Sequence, residues 1–512
     1  MFQLHFAFFP AGFRLAGAAV VATAVVGCAA VGPNFHSPPP QAVPADHPYT
    51  AEPMPARTAG APGVGGAVQR FSMGEDIPEQ WWKLFRSEPL DQLIRTALAN
   101  SPTLAAAEAA LRQAQESYNA QYGARTLPNV SGQLNAARQR SVQFGPAPSI
   151  FTLYNASVAV SYTVDTFGSV RRELEALGSV IDYQRYQLEA AYLALTANLV
   201  TTAIQEASLR AQMKAIREVV AAQEKSLELT RKQAALGAIA RSPVLTLGAQ
   251  VAQSRAQLPV LEKALAQTRH QLAVYAGRLP SHAKLPEFEL DSLHLPEDLP
   301  LSLPSALVRQ RPDIQASEAL LHQASAQIGV ATANLYPLIT LSGNAGSAAT
   351  SIGDLFSAKA FLWTLGAGLA QPIFNGGALQ ARRRAAVAAY EQAAAQYQST
   401  VLVAFQNVAN ALHSLETDAE SLRAQAEAES QLRQSLDLVT RQFQIGATSY
   451  LNLLDAQRSY QQTRVNLAQA QAARFADTAA LFQALGGGWW NRPFLRDPAE
   501  ADARPQPAAT KE

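Results

Sequence analysis

Between Thr152 and Gly168 apolar and polar positions alternate. Tyr154, Ala156, Val158, Val160, Tyr162 and Val164 share one face, and Asn155, Ser157, Ala159, Ser161, Thr163 and Asp165 share the other. A period of two is that of a β-strand. The two tyrosines stand eight residues apart, which at strand rise is about 26 Å, close to the apolar band between the aromatic girdles of a membrane barrel. Half-buried strands of soluble sheets alternate too, so this stretch alone leaves both readings open. Upstream, Val130, Gly132, Leu134 and Ala136 alternate with Ser131, Gln133, Asn135 and Ala137, and Gly145-Pro146-Ala147-Pro148 supplies a turn. The spacing predicts a hairpin of strands near 129–144 and 151–167.

Helical spacing surrounds the hairpin. Apolar residues follow Pro78 at three-four intervals through Trp81-Trp82, Phe85, Leu93, Ile94 and Leu98. Asn100-Ser101-Pro102 then starts a second helix carrying Leu104, Ala107, Leu111, Ala114 and Tyr118. After Gly168 no strong breaker intervenes until Gly237, and a continuous helix of that span is about 100 Å long. Leu188, Tyr192, Leu195, Leu199 and Ala203 keep close to the 3.5-residue period of a coiled-coil seam, so this helix must pack against others. Gly237 breaks it, Ser242 and Pro243 read as the cap and first turn of a return helix, and Gly277 ends that helix.

The pattern then repeats. An offset of 209 residues carries Pro128 to Pro337, Gly237 to Gly446 and Gly277 to Gly486, and Leu188, Tyr192, Leu195, Leu199 and Ala203 to Tyr397, Val401, Ala404, Val408 and Leu412. The chain is a duplicated unit. The first copy spans 78–304, with a long helix at 169–236 and a return helix at 243–276. The second spans 305–488, with strands near 338–347 and 361–374, a long helix at 376–445 and a return helix at 449–485. In the second hairpin Ile339, Leu341, Gly343 and Ala345 oppose Thr340, Ser342, Asn344 and Gly346, and Phe361, Trp363, Leu365, Ala367 and Leu369 share a face. Four such strands cannot close a membrane barrel, because the smallest use eight. Several chains must contribute, since lipid tolerates no open edge.

Composition narrows the classes. Hydrophobic residues make up 48 %, yet mean hydropathy is −0.04, because much of the apolar share is alanine interleaved with glutamine. Beyond the first thirty residues no apolar run matches a spanning helix. Lysine plus arginine (41) balances aspartate plus glutamate (40), so no basic footprint for nucleic acid is present. The single cysteine, Cys28, excludes a disulfide framework and a thiolate metal site within one chain. It follows Arg14, the apolar run Leu15–Val26 and Gly27, a secretory signal that resembles a bacterial lipobox. The expectation is cleavage after Gly27, with removal of 1–27, and a covalent lipid on Cys28; the alternative is a free thiol after an ordinary signal. The segment 28–77, rich in Pro, Ala and Gly, reads as a lipidated tether, and 489–512 as a flexible tail.

On this frame several motifs fall in order. They are Cys28 with Val31-Gly32-Pro33-Asn34-Phe35; Pro78 with Trp81-Trp82 and Phe85; Arg311-Pro312-Asp313-Ile314, Ile328-Gly329 and Tyr336-Pro337; Gln371-Pro372-Ile373-Phe374-Asn375-Gly376-Gly377; and Ile445-Gly446 with Tyr450-Leu451-Asn452-Leu453-Leu454-Asp455-Ala456-Gln457. The chain resembles the TolC-type outer-membrane efflux factors, most of all the lipoprotein branch typified by OprM and NodT. The resemblance implies a homotrimer, with one twelve-stranded β-barrel in the outer membrane and a periplasmic tunnel of coiled α-helices about 100 Å long. It implies a periplasmic adaptor and an inner-membrane pump as partners, and export of small molecules; type I secretion of polypeptides is the alternative.

The same resemblance points to the helical tips at Gly237, Arg241, Ser242 and Pro243, and at Gly446 and Thr448, as the gated end. Asp455 matches a pore-facing acid, which threefold symmetry would turn into a ring of carboxylates that favours cations. Asn452 stands where some relatives carry a second aspartate. Pairing with Arg458 is the ordinary alternative for Asp455, and Arg241 is a candidate for a pair between neighbouring helices in the closed state. Tyr154, Tyr162, Phe361 and Trp363 are the candidate girdle aromatics.

An enzyme finds no support. The eight histidines are scattered without metal-ligand spacing, and no nucleophile, acid-base pair or phosphate loop can be assembled. No cofactor is expected. A purely structural coiled-coil spacer would use the long helices but leaves both amphipathic hairpins unexplained.

Overall fold

The computed structural model describes residues 30–38, 49–50, 54–141 and 149–492. In chain order its elements are β1 (Arg70–Met73), a 3₁₀ turn (Trp81–Phe85), α1 (Glu88–Asn100), α2 (Pro102–Thr126), β2 (Asn129–Ser141), β3 (Ser149–Val164), α3 (Ser169–Ala235) and α4 (Arg241–Tyr275). Then follow a 3₁₀ turn (Leu290–Ser292), β4 (Asp298–Leu301), α5 (Pro304–Gln310), α6 (Pro312–Ala333), β5 (Leu338–Ala349), β6 (Phe361–Ala370), α7 (Ala378–Gln444), α8 (Tyr450–Ala484) and a 3₁₀ turn (Trp489–Asn491).

The duplication is visible in these bounds. α3 and α7 each run 67 residues and α4 and α8 each run 35, and every bound shifts by 209 residues: 169 to 378, 235 to 444, 241 to 450 and 275 to 484. The four helices stop by one mechanism. Gly237, Gly277, Gly446 and Gly486 hold φ of 75°, 69°, 73° and 96°. The amides around each glycine close back onto the last turn, as in Ala238 N to Gln233 O at 2.9 Å and Ala447 N to Gln442 O at 2.8 Å. This is the Schellman ending, which takes a left-handed residue and therefore favours glycine.

Two compact units divide the chain. The first comprises Met1–Pro38, Ala110–Gln184 and Ala316–Gln398. It holds a four-stranded antiparallel sheet in the order β2-β3-β5-β6 and the helical segments joined to it. The second comprises Pro39–Ala109, Arg185–Gln315 and Ser399–Glu512. Its core gathers Trp81, Phe85, Ile94, Leu199, Ile204, Leu412, Leu415, Phe475 and Phe482, with Trp81 stacked on Phe482 at 5.4 Å. Gly277 and Gly486 are needed here for a second reason. A Cβ on them would stand 2.3 Å from Asn100 O and 2.6 Å from Gln310 O, the last residues of α1 and α5.

Several boundaries differ from the sequence reading, each for a local reason. β3 ends at Val164 rather than 167, because the Asp165 carboxylate turns to accept the Val170 and Arg171 amides at 3.0 Å and starts α3. Ser242 is not the cap of the return helix. α4 begins at Arg241 with Ala240 at the cap position and no side-chain hydrogen bond, which leaves Pro243 in the first turn, where its missing N–H has no intrahelical role. The equivalent cap in α8 is Ser449, whose hydroxyl accepts from Asn452 N. β6 stops at Ala370, and Pro372 follows, which cannot donate to a ladder. Helical order after Pro78 is interrupted at Arg86, with φ of 49°.

The Pro-, Ala- and Gly-rich segment 28–77 is not a tether throughout: it contains β1, paired in parallel with β4. The tail is not free from 489. Trp489 Nε1 donates to Gln310 O at 2.6 Å, Trp490 Nε1 to Asp76 at 2.9 Å, and Arg492 lies 3.4 Å over the Tyr192 ring. Residues 142–144 and 493–512 fall outside the described residues.

Candidate functional site

The sheet has two chemically different faces. Register places Val130, Val160, Gly343 and Leu365 in one row, and Gly132, Val158, Ala345 and Trp363 in the next. Val158 is 50 % exposed, Trp363 65 % and Leu365 76 %, an apolar surface that water would penalise and lipid would not. The opposite face carries the rows Asn129, Ser161, Ser342, Gly366 and Ser131, Ala159, Asn344, Thr364. Tyr154 and Tyr162 bracket the apolar rows. Phe361 pairs with Ser347, one row from Tyr154, while Trp363 shares the row of Val158, midway between the tyrosines. The register therefore keeps Phe361 near the girdle but places Trp363, the other candidate girdle aromatic, in the middle of the face.

An aromatic pair that the sequence reading passed over sits where strands become helices. Phe167 and Tyr336 stack at 4.6 Å, and their signal was an aromatic just outside each strand, beside Gly168 and Pro337.

Beside them the N-terminal segment is seated. Cys28 and Gly27 lie outside the described residues, which begin at Ala30. Val31 N donates to Phe167 O at 3.1 Å, and Arg172 Nη2 donates to Asn34 Oδ1 at 2.7 Å. Phe35 stacks on His322 at 4.3 Å. Gly32 and Gly329 touch so closely that a Cβ on Gly32 would stand 2.5 Å from the Gly329 Cα. Glu175 braces the seat, accepting from Arg172 at 2.7 Å with His322 Nε2 at 2.9 Å. Burial opposes its ionisation, but those hydrogen bonds outweigh it and hold the carboxyl below the usual range.

In the second unit the helix pairs end in matching turns. Leu227, Leu247, Val251 and Leu454 form a small buried cluster. Next to it Ser254 Oγ donates to Gln461 Oε1 at 3.2 Å and Arg458 Nε to Gln250 Oε1 at 2.6 Å. Arg458 is thus engaged away from Asp455, which is exposed and makes no ion pair among the described residues. Asn452 Nδ2 donates to Thr448 Oγ1 at 3.0 Å, so Asn452 belongs to the cap of α8. Arg241 is exposed and likewise unpaired among the described residues. Leu236 and Ile445, equivalent under the 209-residue offset, are 84 % and 80 % exposed.

Deeper in this unit lies a charged cluster the sequence did not announce. Arg474 is fully buried and donates to Leu415 O at 2.7 Å, Thr58 Oγ1 at 3.1 Å and Ala67 O at 3.4 Å. Burial lowers its pKa to about 10. Asp477, one turn on, is raised to about 7 by burial and by the hydrogen bond and negative charge of Asp418. A carboxyl whose folded value lies above its ordinary 3.8 favours the fold most below that value and withdraws stability as pH rises towards about 7. Asp477→Asn is therefore expected to flatten the pH dependence of stability between pH 4 and 7 and to raise the urea midpoint at pH 8. An unchanged pH profile would show that Asp477 ionises normally.

Among the described residues, no group of three or more His, Cys, Asp and Glu could hold a metal ion, and no helix is long and apolar enough to cross a membrane. A strand sheet with one lipid-suited and one polar face, carried on duplicated long helices, defines a membrane-strand channel protein. The outer membrane efflux protein family model matches twice, over residues 93–278 and 303–487. Two curated relatives, both pyoverdine export outer membrane proteins OpmQ, are 34 % identical over 422 residues (Pseudomonas aeruginosa; 80 % of this chain, 87 % of the relative) and 31 % over 446 (Pseudomonas putida; 85 % and 94 %). The solved outer-membrane channel OprN superposes with a TM-score of 0.80 at 27 % identity, covering 90 % of this chain and 99 % of that one. The chain belongs to the outer membrane efflux protein family.

Proposed function

We propose that three copies of this chain close a twelve-stranded barrel that carries small molecules out of the cell, fed by a periplasmic adaptor and an inner-membrane pump. One observation carries the reading: β2 and β6 are open edges of a sheet whose apolar face suits lipid. The alternation of directions makes β6 of one copy antiparallel to β2 of the next, so cyclic repetition removes every edge. The export role of OpmQ is consistent with a small-molecule substrate, and the exposed Leu236 and Ile445 suit an apolar contact with an adaptor.

Asp455 is the proposed gate acid, its free carboxylate repeated three times around the axis, with Asn452 beside it as a neutral cap residue. Ion-selectivity measurements on Asp455→Ala channels are expected to show a loss of cation preference; an unaltered preference removes Asp455 from the pore. Cys28 is proposed to carry the anchor, with the seat around Arg172, Glu175 and His322 holding the segment that follows. Mass spectrometry of the mature chain is expected to show an acylated Cys28 as its first residue, and an intact thiol there would refute the anchor.

A further inference from the structure

Arg138 and Arg140 are the only charged residues in the four strands of the sheet. Both lie near the hairpin end of β2, opposite the ends that adjoin α2, α3, α6 and α7. Their parity puts them on the apolar face: Ala136 pairs with Tyr154, then Arg138 with Thr152, then Arg140 with Ile150. They are therefore the first residues of that face beyond the tyrosine row. Both are exposed, and neither side chain forms a hydrogen bond or ion pair among the described residues.

Nothing acidic faces them across the ladder, and the connection 142–148 contains no charged residue. In the β5–β6 connection the charged residues are Asp354, which accepts from the Ser351 hydroxyl at 2.7 Å, and Lys359. Unbalanced positive charge at the edge of a lipid-facing band calls for an anion supplied by the membrane.

We propose that Arg138 and Arg140 bind the phosphate groups of the glycolipid in the outer leaflet. Alternate residues of a strand stand about 7 Å apart, so each guanidinium can fork onto its own phosphate oxygens. The aliphatic stems lie along the apolar face below. Three copies would place six guanidiniums around the rim. The inference rests on the barrel reading, which also sets the hairpin end outward.

The test uses the purified full-length protein, with bisphosphorylated lipid A and its dephosphorylated form as probes in native mass spectrometry. Wild type is expected to retain the phosphorylated lipid preferentially. Arg138→Gln with Arg140→Gln is expected to weaken that binding about tenfold or more while leaving the dephosphorylated lipid unaffected, and the double lysine variant is expected to keep part of the preference. Equal binding of both lipids by wild type, or undiminished binding by the glutamine variant, would overturn the proposal. Conductance in planar bilayers of neutral phosphatidylcholine separates loss of the lipid site from loss of the barrel. A conducting variant that has lost lipid preference supports the site, a conducting one that keeps it refutes the site alone, and a wild type that never conducts removes the barrel reading beneath it.

Discussion

Val158→Arg is expected to cost about 2–4 kcal/mol per chain, the penalty for an arginine on the lipid side of a barrel near mid-depth. Ala159→Arg, one residue on, is expected to change stability by no more than about 0.5 kcal/mol, because that position faces the polar side. The contrast follows from register alone. Val158 shares its row with Ala345 and Trp363, and Ala159 with Ser131 and Asn344. Three copies of the substitution act on one barrel, so the readout is loss of the heat-modifiable, detergent-resistant oligomer in the first variant and its survival in the second. Similar losses in both would mean that the two faces meet the same environment.

The second large effect lies in the helical unit. Arg474→Leu is expected to remove about 3–5 kcal/mol, since it strips the donor from two buried acceptors and a part-buried one and takes away the guanidinium whose charge acts on Asp477. Arg474→Lys should recover part of the loss, because one ammonium cannot reproduce a planar fork reaching Leu415, Thr58 and Ala67. Urea unfolding of the three proteins at pH 6 checks the order wild type, lysine, leucine. A leucine variant as stable as wild type would show that the buried charge is dispensable.

Much of this architecture was legible in the chain. The 209-residue offset read from Gly237 and Gly446 is the offset of the helix bounds, because a Schellman ending requires glycine at the same place in each copy. The two faces of the hairpins were legible because a period of two assigns every residue of a strand at once. What escaped depends on partners distant in sequence. Arg474 reads as one more helical arginine, yet Thr58 lies 416 residues away. The seat for residues 31–35 needs Arg172, His322 and Gly329, which no local pattern joins. Serine before proline is a common helix start, which makes Ser242 look like a cap; the backbone starts two residues earlier, and the cap position falls to Ala240.

The helical unit also explains two motifs whose meaning was only positional. In Arg311-Pro312-Asp313, Arg311 donates to Asp313 at 2.7 Å and 3.0 Å and to Ala484 O at 2.7 Å, tying the start of α6 to the end of α8. In Trp81-Trp82, Trp82 Nε1 donates to Asp91 at 2.9 Å while Trp81 fills the core. Both tryptophans serve packing, as large aromatics mostly do.

Single-channel recording on the purified full-length chain in a planar bilayer decides whether the four strands belong to a closed barrel. The barrel reading predicts discrete conductance steps that Val158→Arg abolishes and Ala159→Arg preserves; a bilayer that stays silent with the folded wild-type protein would contradict it.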